Sequence, residues 1–211
     1  MKRLFAVALL FAATAVIAQS RPTPGIDYKA IAPPQAGAGT KVEVVEFFNY
    51  ACSHCYDFEP LLKSWLSKKP ADVEFRYVPA VFNERMVPLA KLYYTLEEMQ
   101  LRARLHEKVY EAIHDKGLAL NEPQVLMKWV EGHGVDVKKF QSVYESFSVG
   151  SQVQRAAQMT RNYKVQGTPY VAVNGKYLTG PSMVVGSDGN VDGARFMRVL
   201  NDLIDMERRK G

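Results

Sequence analysis

The run Val45-Glu46-Phe47-Phe48-Asn49-Tyr50-Ala51-Cys52-Ser53-His54-Cys55-Tyr56 decides how the rest of the chain is read. It belongs to a β-rich apolar stretch, Val42, Val44, Val45, Phe47 and Phe48, broken by Glu43 and Glu46, which predicts a buried strand. From Tyr56 to Lys69, residues Phe58, Leu61, Leu62, Trp65 and Leu66 recur at helical spacing, and Pro70 helps to end the helix. Cys52 therefore sits where a strand gives way to a helix. At such a junction the unpaired amide N–H groups and the positive end of the helix dipole favour a thiolate. Cys55, one turn inside the helix, is then within reach to resolve a mixed disulfide formed at Cys52. His54 places an imidazole where it can donate to the Cys52 sulfur or carry positive charge near it. A thiolate exists only in the reduced state, so stabilising it raises the reduction potential, by about 30 mV per pKa unit for a two-electron couple. The Ser53-His54 dipeptide thus points to a pair that gives its disulfide away.

These are the only two cysteines in 211 residues. A bond across two intervening residues closes a loop too small to constrain much of an unfolded chain, so a structural staple is a poor reason for the pair. Location matters more. Met1-Lys2-Arg3 is basic, Leu4 to Ile17 is apolar except for Thr14, and small residues end at Ala18, which together predict a secretory signal peptide over residues 1–18. The apolar run is shorter than the roughly 20 residues that span a bilayer. Cleavage near Ala18 would deliver the pair to an oxidising compartment. The formal net charge of +5 loses Lys2 and Arg3 with that segment and becomes +3, too mild a balance to argue for nucleic acid.

Further out, residues 19–40 hold four prolines and three glycines, which reads as an extended leader with little core, so order is expected to begin near Lys41. Val73 to Phe82 predicts a second strand. Five helical patterns follow, over Pro88–Gln100, Arg102–Asp115, Pro123–Glu131, Val137–Phe147 and Ser151–Tyr163. Tyr170–Val173 and Lys176–Leu178 flank Asn174-Gly175 as a tight hairpin, and a last helix runs from Gly193 to about Arg209. The stretch from Gly186 to Gly193 reads as a loop. The order predicts an α/β unit over residues 41–211, split by an all-helical insertion at about 84–163.

The quoted run, the distant Gly167-Thr168-Pro169 and the hairpin sequence Tyr170-Val171-Ala172-Val173-Asn174-Gly175-Lys176-Tyr177 together resemble the DsbA family of periplasmic disulfide oxidases. The resemblance implies a thioredoxin fold carrying the helical insertion. It implies Cys52 as the exposed nucleophile, Cys55 as the buried resolving thiol, and Pro169 as a cis-proline packed against the disulfide, leaving the Thr168 backbone to pair with an extended substrate. Glu46, six residues before Cys52, matches the family's buried acid beneath the active site; a carboxyl there would have a raised pKa and exchange a proton with Cys55. Glu59 and Arg76 match a charged pair near that acid, although a surface salt bridge accounts for them as well. The resemblance further implies reduced exported proteins as substrates, reoxidation by a DsbB-like membrane quinone reductase, a monomer, and no cofactor beyond the Cys52–Cys55 disulfide. The chain departs from the family at Ser53, where proline is usual, and at Thr168, where valine is usual and where exported isomerases carry threonine.

Other readings remain open at this stage. A disulfide isomerase usually has a dimerisation domain before the catalytic one, and residues 19–40 are too few to make it. A cytosolic reductant lacks a reason for the signal peptide. A metal site would need two further ligands beside Cys52 and Cys55. His106, His114 and His133 lie in the predicted helical insertion without a paired ligand spacing and read as helix-surface residues. A non-catalytic peptide-binding or chaperone protein would not need the cysteines.

Overall fold

The computed structural model describes residues 21–37, 39–186 and 188–209, so the expected signal peptide lies outside the described residues. A mixed sheet forms the centre. Its strands are β1 (Lys29–Ala30), β2 (Val42–Phe48), β3 (Val73–Pro79), β4 (Tyr170–Val173) and β5 (Tyr177–Thr179), in the order β1-β5-β4-β2-β3. Only β2 and β3 run parallel, joined by the crossover helix α1 (Ser53–Leu66). The helices α2 (Val87–Glu98), α3 (Arg102–His114), α4 (Pro123–Gly132), α5 (Val137–Tyr144) and α6 (Phe147–Asn162) form one block between β3 and β4, and α7 (Gly193–Arg208) closes the fold. The protein is thus an α/β fold with a helical insertion.

Strand β2 has neighbours on both edges and helices on both faces, and all seven of its residues are buried. The two-residue period of a strand divides them. Val42, Val44 and Phe48 face a core shared with α1, the insertion and α7, whereas Val45 and Phe47 pack with Ala156 of α6, Tyr163 and Leu178. Glu46 lies on the first face and Glu43 on the second, a split that later separates their partners.

Several element ends differ from the sequence reading. Helix α1 starts at Ser53, directly after Cys52 as expected, with the Cys52 carbonyl accepting from the N–H groups of Cys55 and Tyr56 at 3.1 and 3.2 Å, but it ends at Leu66 rather than Lys69. Strand β3 stops at Pro79 rather than Phe82, since proline has no N–H to give to a ladder. The helix expected to run to Phe147 stops at Tyr144, and Ser146 caps the next one by accepting from the Val149 N–H at 3.2 Å.

Order also begins well before Lys41. β1 pairs with β5, Tyr28 and Ile31 are buried, and the Gln35 N–H donates to the Gly175 carbonyl at 2.8 Å. Asp27 fixes this segment: its carboxylate accepts from the Thr23 N–H at 2.8 Å and from Arg195 of α7 at 2.7 Å, and its carbonyl accepts from the Thr179 hydroxyl at 2.7 Å. The segment covers a sheet edge that would otherwise expose unpaired backbone. Proline and glycine content reports the missing hydrophobic periodicity and says nothing of that edge.

The crossing over the hairpin sets up a specific test. Gly175 has a φ of +64°, and a Cβ there would lie 2.3 Å from the Gln35 carbonyl oxygen. Gly175→Ala is therefore expected to destabilise the protein by about 1–3 kcal/mol in urea unfolding, through backbone strain and displacement of the leader. A stability equal to wild type would show that the leader crossing carries no strain.

Candidate active site

Cys52 occupies the N-cap of α1 with extended backbone (φ −91°, ψ 114°), and its side chain makes no capping hydrogen bond. The sulfur is free to face the loop before β4, which the antiparallel pairing of Phe47 with Tyr170 brings alongside. There the Cys52 Sγ lies 3.3 Å from the Thr168 carbonyl oxygen, to which the thiol can donate, and the Thr168–Pro169 peptide bond is cis. Both cysteines are free thiols, Cys52 partly exposed and Cys55 buried.

The two thiols are pushed in opposite directions. A hydrogen bond from the Cys55 thiol is the largest influence on Cys52; against the opposing effect of partial burial, and with help from the Thr168 side chain and the backbone N–H groups of Cys55 and His54, the Cys52 thiol is lowered to about 5. Burial pushes the Cys55 thiol far up, reinforced by its hydrogen bond to Cys52 and, when Glu46 is ionised, by that carboxylate's charge. One sulfur is therefore an anion at neutral pH and the other holds its proton, so Cys52 is the better leaving group and Cys55 must give up its proton before it can attack.

Ser53 and His54 are both exposed. What His54 brings to the sulfur is its backbone N–H, and the residue also lines a groove of about 470 Å³ that runs along Thr168 and Pro169. Phe58, Leu61, Pro169, Pro181, Val185 and Val191 give that groove apolar walls. Val185 and Val191 form an isolated antiparallel bridge, so the stretch read as a loop is folded back on itself as a groove wall. Its composition of glycine and small polar residues gave no hint of this.

Glu46 is fully buried on the face of β2 that looks toward α1, and neither of its carboxylate oxygens has a hydrogen-bond partner among the described residues. Burial pushes its pKa well above the carboxylate range, and the charges of Glu59 and Cys52 push the same way. The Glu59–Arg76 pairing does not form. Arg76 is opposite Val45, so its side chain emerges on the other face of the sheet, where its Nε donates to Glu43 at 2.7 Å. Glu59 is buried and accepts from the Tyr77 hydroxyl at 3.0 Å, and Tyr77 is the residue opposite Glu46. Strand parity decides the matter, and a match by residue type alone did not use it.

The histidines also differ from a helix-surface reading. His106 is buried, with its Nδ1 2.7 Å from the Tyr50 hydroxyl and its Nε2 3.6 Å from Glu59. His114 stacks on Tyr56 and lies 2.8 Å from the Tyr50 carbonyl oxygen. His133 is bonded to the Trp129 carbonyl at 2.7 Å. Among the described residues no group of three or more His, Cys, Asp or Glu is arranged to hold a metal ion.

A strand-to-helix cysteine pair facing a Thr-Pro loop, in a sheet with a helical block between its third and fourth strands, matches a known domain. The family described as a DSBA-like thioredoxin domain matches residues 43–192. The chain belongs to that family. It is 40% identical over 208 residues to the thiol:disulfide interchange protein DsbA of Bordetella parapertussis, covering 98% of this chain and 97% of the relative. The crystal structure of Pseudomonas aeruginosa DsbA superposes with a TM-score of 0.81 at 35% identity, over 89% of this chain and 95% of that one. Xylella fastidiosa oxidoreductase DsbA gives 0.80 at 31% identity, over 90% and 100%. The protein is accordingly a thiol:disulfide oxidoreductase of the DSBA-like family with a thioredoxin-like fold, and its chemistry is carried by its own cysteine pair.

Proposed function

We propose that this chain works in the periplasm as an oxidase, passing the Cys52–Cys55 disulfide to reduced proteins newly exported there. The observation that carries the reading is the opposed shift of the two thiols, with Cys52 at about 5 and Cys55 far above its ordinary value. A substrate thiolate attacks Cys52 Sγ; the new S–S bond forms as the Cys52–Cys55 bond breaks, and Cys55 leaves as a thiolate. That anion is buried, so it takes a proton, and Glu46 holds one at the same buried site. A second substrate thiolate then attacks the sulfur of the first, forming the substrate disulfide and expelling Cys52 as a stabilised thiolate. The substrate is oxidised and the enzyme reduced by two electrons.

In this reading Thr168 and Pro169 present backbone to an extended substrate, as in strand addition, and the adjoining apolar groove takes neighbouring side chains. Ser53 is exposed beside the attacked sulfur, and the His54 N–H supports the thiolate that later leaves. A DsbB-like membrane quinone reductase accepts the electrons from the dithiol, and the protein acts as a monomer.

The test is the equilibrium potential of the Cys52–Cys55 pair against glutathione, with thiolate absorbance titrated on the same sample. The expected result is a potential well above the glutathione couple and a thiolate midpoint near 5. A potential below that couple with a near-neutral thiol would defeat the oxidase direction and make the chain a reductant or an isomerase.

A further inference from the structure

His106 of α3 takes no part in the exchange just described, yet it is buried at the face where the helical insertion closes over the redox centre. Facing it are Tyr50 from the loop after β2, Glu59 from α1, Tyr77 from β3, Tyr93 from α2 and Tyr110 from its own helix. Arg102 lies over the Tyr77 ring, 5.4 Å from its centroid, and is paired with Glu97.

Among the described residues Tyr50 is the one hydrogen-bond partner of the His106 ring. Burial holds its phenol well above the ordinary range, so it keeps its proton, and its hydroxyl is 2.7 Å from His106 Nδ1. With that hydroxyl donating to Nδ1, the tautomer assigned here, the ring proton sits on Nε2. The only acceptor that Nε2 approaches among the described contacts is Glu59 Oε2 at 3.6 Å, just beyond hydrogen-bond length, and Oε2 is itself without another partner. The other oxygen of Glu59 accepts from Tyr77. Glu59 therefore has one bonded donor on Oε1 and the His106 ring nitrogen 3.6 Å from Oε2, whereas neither oxygen of Glu46 has a partner among the described residues. Two carboxyls in one buried site do not both ionise cheaply, and the one with donors is the one that carries the charge.

We propose that His106 is a positioning residue that fixes the negative charge on Glu59, leaving Glu46 as the carboxyl that holds the proton passed to Cys55. This rests on the reading that Glu46 exchanges a proton with Cys55 and adds why it is Glu46 that has one to give. It also gives the helical insertion a part in the redox chemistry.

The test is infrared spectroscopy of the dithiol protein at neutral pH, where a protonated carboxyl shows a C=O band that a carboxylate lacks. One buried band is expected, absent in Glu46→Gln and retained in Glu59→Gln; the reverse assignment overturns the proposal. In His106→Leu, which cannot donate, the band is expected to roughly double as Glu59 also takes a proton, and the pH profile of Cys55 release to move to lower pH. His106→Gln, which still offers an amide N–H, should restore both. A wild-type spectrum from His106→Leu overturns the proposal. Should that variant fail to fold, carbon-13 titration of both carboxyls in the wild-type protein decides: ionisation of Glu59 at lower pH than Glu46 supports the assignment, and the opposite order refutes it. An unchanged pH profile in Glu46→Gln would instead refute the exchange with Cys55 while leaving the band assignments in place.

Discussion

Replacing Cys52 with serine is expected to reduce disulfide donation to the uncatalysed background, while Cys55→Ser leaves the protein able to form a mixed disulfide that it cannot resolve. The difference follows from the geometry. Cys52 is the partly exposed sulfur beside the Thr168–Pro169 loop, and Cys55 is fully buried behind it. A serine hydroxyl at position 52 neither forms a disulfide nor leaves as a stable anion, so no electron-transfer step survives. With Cys52 at about 5, roughly 99% of it is thiolate at pH 7, so it leaves the mixed disulfide as a stable anion. In Cys55→Ala the thiolate loses its largest stabilising donor, and the midpoint of its alkylation by iodoacetamide should rise above that of the wild type. The assay is refolding of a reduced, disulfide-containing protein, with covalent complexes read on a non-reducing gel. Turnover by Cys52→Ser would end the dithiol mechanism and leave a binding protein.

How much of this could be read from the sequence depends on the distance over which each feature is encoded. The strand–Cys–helix junction is local: β propensity before Cys52, helical spacing after it and the N-terminal amides of α1 all lie within about two turns, so Cys52 and Cys55 were legible. The hairpin was legible for the same reason, since Asn174 and Gly175 both adopt positive φ, which few residues tolerate. Pairings that depend on strand parity were not. Arg76 and Glu59 have suitable charges, but Arg76 leaves β3 on the face opposite Glu46, and only the register with Val45 shows it. The partners of His106 come from four separate elements besides its own helix, with no periodic signal joining them. The groove wall at Val185 and Val191 and the Asp27–Arg195 lock on the leader are contacts of the same long-range kind. What the sequence hid was less the attacking sulfur than its surroundings, which determine where its protons reside.

Those surroundings also predict how pH should act on the two redox forms. At pH 7 the reduced protein should unfold at a higher temperature than the oxidised protein, and the difference should shrink as pH falls toward 5. In the folded dithiol form the Cys52 thiol is depressed from its ordinary 9.0 to about 5. Between those values the unfolded chain binds a proton at Cys52 that the native protein does not, so stability rises with pH across the window. The contribution is complete above about 9 and is lost as pH drops through about 5. For one proton the slope is at most about 1.4 kcal/mol per pH unit, and solvent at the half-exposed sulfur screens it below that ceiling. A difference on the order of 5 °C at pH 7 is expected for a chain of this size. Cys55 acts in the opposite sense, because burial holds its proton in the folded state; it counts against the reduced form only where the unfolded thiol ionises, above its ordinary 9.0. Glu46 is buried on β2 and is present in both redox forms, so comparing the two largely removes it and isolates the sulfur. Calorimetry of the dithiol and disulfide proteins from pH 4 to 9 gives the curve. A gap that stays constant across the range would mean that Cys52 is no more acidic folded than unfolded, and the driving force for donating the disulfide would have to reside elsewhere in the fold.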